Sequence, residues 1–235
     1  MWLDGKCGPE YDQIGHIVKG VYVSTDIVFS PDGERLAYAA RKGTKWIVVV
    51  DGKEGPAYDE IGAGRFSSQT GSLAFSSDGM HFAYVAIKGK NNHLVLDGKE
   101  GPPYQGIEQV TFSPDARKVA FVSWKGKTRD GLQHGTAFKR SADCKYVMVR
   151  GDREYEGALC PAFSADGSHL AHIVRKSDSN GGSGQRVVLD GMESSEYDEI
   201  VGCYPLRFGQ EGTLEFLAVR KSFADERMDT VIDRS

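Results

Sequence analysis

One phrase governs what this chain can fold into. Asp51-Gly52-Lys53-Glu54-Gly55-Pro56-Ala57-Tyr58-Asp59-Glu60-Ile61 returns at residues 97–107, in near copy at 4–14, in worn form at 190–200 and faintly at 150–155. Between these copies sits a second phrase, Phe29-Ser30-Pro31-Asp32-Gly33, answered by versions that begin at Phe75, Phe112, Phe163 and Phe208. Each is followed by an apolar run that ends in lysine, at residues 36–42, 82–88, 119–125, 170–176 and 214–221. The period averages about 46 residues and occurs five times in 235.

A period of roughly 40 to 50 residues that holds four short strands is the mark of a β-propeller blade, whereas helical repeats of that length need amphipathic helices of about ten residues or more. No such helix is written here. In one unit, strand a ends at the Phe of the second phrase, strand b covers residues 36–41, strand c 46–50, and strand d lies around Tyr58. Ser-Pro-Asp-Gly and Asp-Gly are tight-turn sequences, because Pro presets φ, Asp bonds its own backbone and Gly accepts positive φ. The 29 glycines are therefore turn chemistry repeated around the fold.

The Phe-Ser-Pro-Asp-Gly phrase followed by an apolar strand resembles the repeat of TolB-like β-propellers, which are related to WD repeats and to the propellers of tricorn-type and prolyl-oligopeptidase-type enzymes. The resemblance covers residues 2–233. It implies a fold; such propellers serve as binding platforms, peptidase gates and occasionally enzymes, so function has to come from the site. No Gly-x-Ser-x-Gly elbow occurs in the sequence.

Strands a, b and d each occur five times and strand c six times, the extra copy lying at a terminus. The expectation is a single all-β domain over residues 1–235: a five-bladed β-propeller of four-stranded antiparallel blades, its ring closed by an N-terminal strand at residues 10–14. The alternative is a longer chain of which this sequence starts mid-unit.

Residues that recur around the ring, Asp32, Asp51, Glu54, Tyr58 and Asp59 among them, are explained first by turn geometry and blade packing. Function is sought where the repeat breaks. On one face the connections a-to-b and c-to-d are uniformly tight. On the other, the d-to-a connections at residues 15–25 and 62–71 are long, and the b-to-c connection at 126–144 is longer still. A further b-to-c connection, 177–185, is rich in Gly, Ser and Asn and reads as a flexible loop. Loops on a rigid scaffold carry recognition residues. The candidate binding surface is thus this loop face and channel mouth: His16, Lys19, Tyr22, Asp26, Arg65, Gln69, Glu108, Gln109, Arg129, His134 and Tyr204. Lys42, Lys88, Lys125, Lys176 and Lys221 would ring the same face, either as an attraction for an anionic ligand or as a solvated rim.

The expected activity is non-enzymatic binding of a protein or of a small polar or anionic ligand, with no cofactor and as a monomer. The alternative is a glycan- or peptide-processing enzyme, with Asp26 and Glu108 as carboxylates at the channel mouth. Cys7, Cys144, Cys160 and Cys203 form no Cys-x-x-Cys pair, although Cys160 and Cys203 start strand a in neighbouring blades. The six histidines lack metal-ligand spacing, and His172 takes the aromatic position of strand b. A net charge of -4 argues against nucleic acid as partner. No apolar run reaches the roughly 18 residues of a membrane span. Without an N-terminal signal the cytoplasm is expected; the TolB-like resemblance implies the periplasm if a leader was removed.

Overall fold

A computed structural model describes residues 2–3, 6–15, 27–62, 73–125, 145–150, 153–177, 183–201, 206–209, 213–222 and 225–233. These residues are all-β, arranged in six antiparallel sheets. They fall into two compact units, Met1–Glu108 and Gln109–Ser235. Among the described residues no helix is long and apolar enough to cross a membrane.

In the first unit, β1 (Trp2–Leu3) and β2 (Lys6–Cys7) pair as a short hairpin. A second sheet comprises β3 (Gln13–Ile14), β4 (Ile27–Phe29), β5 (Leu36–Lys42), β6 (Lys45–Val50) and β7 (Lys53–Glu54). A third repeats it with β8 (Glu60–Ile61), β9 (Leu73–Phe75), β10 (Phe82–Lys88), β11 (Asn91–Leu96) and β12 (Lys99–Glu100). The second unit holds three four-stranded sheets, the first beginning with a strand on the boundary: β13 (Ile107–Phe112), β14 (Val119–Lys125), β15 (Lys145–Arg150) and β16 (Arg153–Glu156). Next come β17 (Ala158–Phe163), β18 (Leu170–Ser177), β19 (Ser183–Leu189) and β20 (Met192–Glu193), then β21 (Glu199–Ile200), β22 (Arg207–Phe208), β23 (Leu214–Ser222) and β24 (Asp225–Asp233).

Two expectations are corrected. The sequence places residues 10–14 in a strand d that closes the ring, but Gln13–Ile14 pairs with β5, at Gln13↔Arg41 and Ile14↔Ala40. The same holds for Glu60–Ile61 on β10 and Glu199–Ile200 on β23. The end of each phrase is therefore the first half of the next strand a. Consequently residues 15–25 and 62–71 are not d-to-a connections but interruptions within strand a, both halves of which stay on one strand b. In β13 the same strand runs unbroken, and in β17 it carries a bulge between Leu159 and Ala162, with Cys160 at φ 53.

Packing follows the period of two in strand b. In β5, Ala37 and Ala39 face one way with Val48, and Leu36, Tyr38 and Ala40 the other. In β10 the bulky Phe82 and Tyr84 lie in the same cluster as Ala37 and Ala39, joined by Phe75, Tyr58 and Ile61. The second unit repeats this, with Ala171 and Ile173 of β18 against Leu214, Phe216 and Ala218 of β23. Small residues on one sheet thus receive aromatic rings from the next. Burying each such ring contributes about 1.5–3 kcal/mol.

The turns follow from the second phrase. Ser30, Ser76, Ser113 and Ser164 each accept a backbone N–H three residues on, from Gly33, Gly79, Ala116 and Gly167. Each serine hydroxyl donates to the Asp two residues along. That bond is the main reason the carboxyls of Asp32, Asp78, Asp115 and Asp166 lie below their ordinary pKa.

Candidate functional site

The tight-turn end of the sheets is occupied by its own polar residues. Asp51, Asp97 and Asp190 adopt φ of 51°, 50° and 50°, which lets one carboxylate oxygen accept the first N–H of strand b, from Leu36, Phe82 and Leu170. The other oxygen meets a cation or imidazole: Arg35 Nε at 2.9 Å, His81 Nδ1 at 2.7 Å and His169 Nδ1 at 2.5 Å. The bond to Asp190 raises the pKa of His169. Arg35 also donates to the carbonyls of Gly79 and Met80, both at 2.9 Å, and Lys118 reaches Gly167 O at 3.0 Å. These bonds tie the turn of one sheet to the next. Gly167 sits at φ +70°, where a Cβ would meet the Asp115 carboxylate at 2.9 Å, although Ala116 holds the equivalent turn position of the preceding sheet at φ 59°.

At the other end lie Lys42 and Lys88, the two of the five recurrent lysines whose side chains are described. Each is drawn to a glutamate of strand d in its own sheet, Lys42 to Glu54 at 3.3 Å and Lys88 to Glu100 at 2.9 Å. The pairing with Lys88 is the main cause that lowers the Glu100 pKa. Asp12 and Asp59 accept from Gly43 N and Gly89 N, the b-to-c turn residues of the following strand pair, at 2.6 and 2.7 Å. The phrase tyrosines pack edge-on to the aromatic of the next strand b, as Tyr11 on Tyr38 and Tyr58 on Tyr84, with ring centroids 6.1 and 6.2 Å apart, and Tyr197 on Phe216 at 5.6 Å. The reading of the recurrent Asp, Glu and Tyr as turn and packing residues therefore holds.

Of the residues proposed from sequence, His16, Lys19, Tyr22, Asp26, Arg65, Gln69, Arg129, His134 and Tyr204 lie outside the described residues. Glu108 and Gln109 fall on β13, which is a strand a as expected; their side chains are likewise outside the description. Cys7 lies on β2 and Cys160 on β17, while Cys144 and Cys203 are outside. What the structure does locate is where the variable segments leave the frame. The segment after Ile61 departs opposite Val85, midway along β10, with Gly62 N bonded to Val85 O at 2.8 Å. The segment 126–144 departs from the end of β14 and returns on β15, where Lys125 and Lys145 are paired.

Three departures from the repeat stand out among the described residues: Glu215 and Arg186, which sequence reasoning missed, and His172, already visible there in the aromatic place of strand b. Glu215 stands where Ala37, Ala83, Ala120 and Ala171 stand in the other sheets, and it is exposed while those alanines are fully buried. The alternation alone could have revealed it. Arg186 occupies a strand c position and bonds Glu193 at 2.7 Å and Glu196 at 2.8 Å. His172 is buried against Tyr155 with Nδ1 unpartnered, and burial pushes its pKa down to about 4. Among the described residues no three His, Cys, Asp or Glu side chains gather to hold a metal ion.

No family model matches the chain, and no curated protein does. Among solved structures it is similar to TolB from Acinetobacter baumannii, with 12% identity over 86% of this chain and 50% of that one, at a TM-score of 0.42. It is also similar to the acylaminoacyl peptidase of Pyrococcus horikoshii, with 13% identity over 80% of this chain and 35% of that one, at 0.45. A third is the β-propeller domain of the Trilobed protease from Pyrococcus furiosus, with 12% identity over 84% and 68%, at 0.40. The chain spans half the length of TolB and about a third of the peptidase.

Proposed function

We propose that this chain is a five-bladed β-propeller that acts as a non-enzymatic binding module, contacting a protein or a small polar or anionic ligand. The contacts come from the segments inserted in strand a, residues 16–26 and 63–72, and from the b-to-c segment 126–144. One observation supports the reading above others. The recurrent charged and aromatic side chains are taken up by turns and sheet-to-sheet bonds, while the sequence that varies in length enters at points that leave both flanking strands paired. Insertions at such points change a surface without disturbing the core.

Replacing residues 128–143 by a four-residue Gly/Ser turn tests this. The expected outcome is a midpoint of thermal unfolding within about 3 °C of the parent and loss of a partner captured by the parent chain from its native lysate. Unchanged capture would remove that segment from the site. Turnover of a glycoside or peptide panel that disappears in Asp26→Asn or Glu108→Gln would replace the binding reading with an enzymatic one.

A further inference from the structure

We propose that Arg41, near the end of β5 in the first unit, anchors a carboxylate of the ligand. The proposal rests on the binding reading above and names one group of that ligand. Arg41 is not demanded by the repeat. Backbone bonds from Asp12 N to Arg41 O, Asp59 N to Ile87 O and Asp198 N to Val219 O mark it and two apolar residues as counterparts. In β18 the place is held by Arg175, which is exposed. Arg41 is half-buried, and its Nε is buried without a hydrogen-bond partner. Asp12, Glu54 and Asp59, the carboxylates that the repeat brings to this end, accept instead from Gly43 N, from Lys42 and Tyr11, and from Lys45 and Gly89 N. Arg35, the other arginine described in this unit, is paired with Asp51. A guanidinium drawn out of water without a counter-charge costs free energy that an arriving carboxylate would recover.

The surroundings state the chemistry of the occupant. The period of two sets Arg41 on the face of β5 that carries Ala37 and Ala39, which pack with Phe82, Tyr84 and Ala86 of β10. Gln13 and Trp46 stand directly across from it on the two neighbouring strands, and Trp46 is buried. Gly15 N bonds Ala39 O at 2.8 Å and Gly62 N bonds Val85 O at 2.8 Å, so the segments 16–26 and 63–72 both leave the frame beside this face. A planar fork shielded along one edge matches the two oxygens of a carboxylate and sets a geometry that a lysine would not. One unpaired cation among balanced pairs suits a single negative charge, which favours a carboxylate over a phosphate dianion.

The test uses the whole chain labelled with 15N, the Nε–H resonance of Arg41 being assigned by its loss in Arg41→Lys. Succinate and the peptide acetyl-Gly-Glu-Gly-amide are titrated against sodium chloride of equal ionic strength. Both carboxylates should move that resonance saturably, with a midpoint near or below about 10 mM, and chloride should not. The tighter of the two tells whether a free acid or an acidic side chain is the better match. Succinate at about 100 mM should raise the midpoint of thermal unfolding by about 3 °C over the chloride control. In Arg41→Ile, which copies Ile87, that rise should vanish while the urea midpoint stays at or above the parent value. No saturable shift by about 100 mM carboxylate, the same thermal rise in Arg41→Ile, a lower urea midpoint in that variant, or tighter binding of inorganic phosphate would each overturn the proposal. Its failure is separable from that of the binding reading, because carboxylate titration reads Arg41 alone and capture after replacement of residues 128–143 reads that segment.

Discussion

The sheet built from residues 60–100 and the sheet built from residues 199–233 share one repeat and differ in what covers them. In the first, strand c carries a strand d and strand b is sealed on both faces, with Phe82, Ala83, Tyr84 and Val85 all buried. In the second, Leu214, Phe216 and Ala218 are buried while Glu215 and Leu217 on the alternate face are exposed. The same strand thus serves as an interior layer in one place and as a surface in another. The switch is made by one residue type, since a carboxylate at an alanine position tolerates water and not a neighbouring sheet.

Exchange at that position gives the largest expected effect. Ala83→Glu places a charge at a fully buried site and should cost about 4 kcal/mol or prevent folding. Glu215→Ala should move stability by no more than about 0.5 kcal/mol. Urea unfolding of the two variants checks both, and equal losses would erase the distinction between the sheets. One step smaller, Phe82→Ala should cost about 3 kcal/mol, and Leu217→Ala well under half of that.

A third contrast concerns acid. His172 holds the place that Tyr84 and Phe216 hold elsewhere, and burial lowers its pKa to about 4. The unfolded chain takes up a proton near pH 6.5 and the folded chain only near 4. Stability is therefore lost as pH falls across that window, by about 3 kcal/mol at most. His172→Phe should flatten this limb, as urea midpoints at pH 7 and pH 4.5 would show. The smallest effect belongs to His169. Its pKa is raised by Asp190, so its stabilisation is complete below pH 6.5 and is lost as pH rises through the higher folded value. His169→Arg, which copies Arg35, should remove that slight alkaline loss.

Much of this frame was legible in the sequence. Pro, Asp and Gly at fixed offsets dictate turns, and the alternation of Leu36-Ala37-Tyr38-Ala39 dictates a two-faced strand. Gln13–Ile14 was misassigned because a two-residue strand has no period to read, and its partner is decided by backbone pairing with β5. Glu215 was readable from the alternation, though its meaning needed the burial of its counterparts. Most of the eleven candidate site residues came from departures in length, which mark where a surface varies and not what it binds, while Asp26, Glu108 and Gln109 came from their place at the start of strand a.

Hydrogen exchange resolved by strand tests the difference in coverage most directly. The account predicts that amides of β10 and β11 exchange only by global opening, while roughly every second amide of β24 exchanges orders of magnitude faster in the isolated chain. Uniform slow exchange along β24, matching β11, would contradict it.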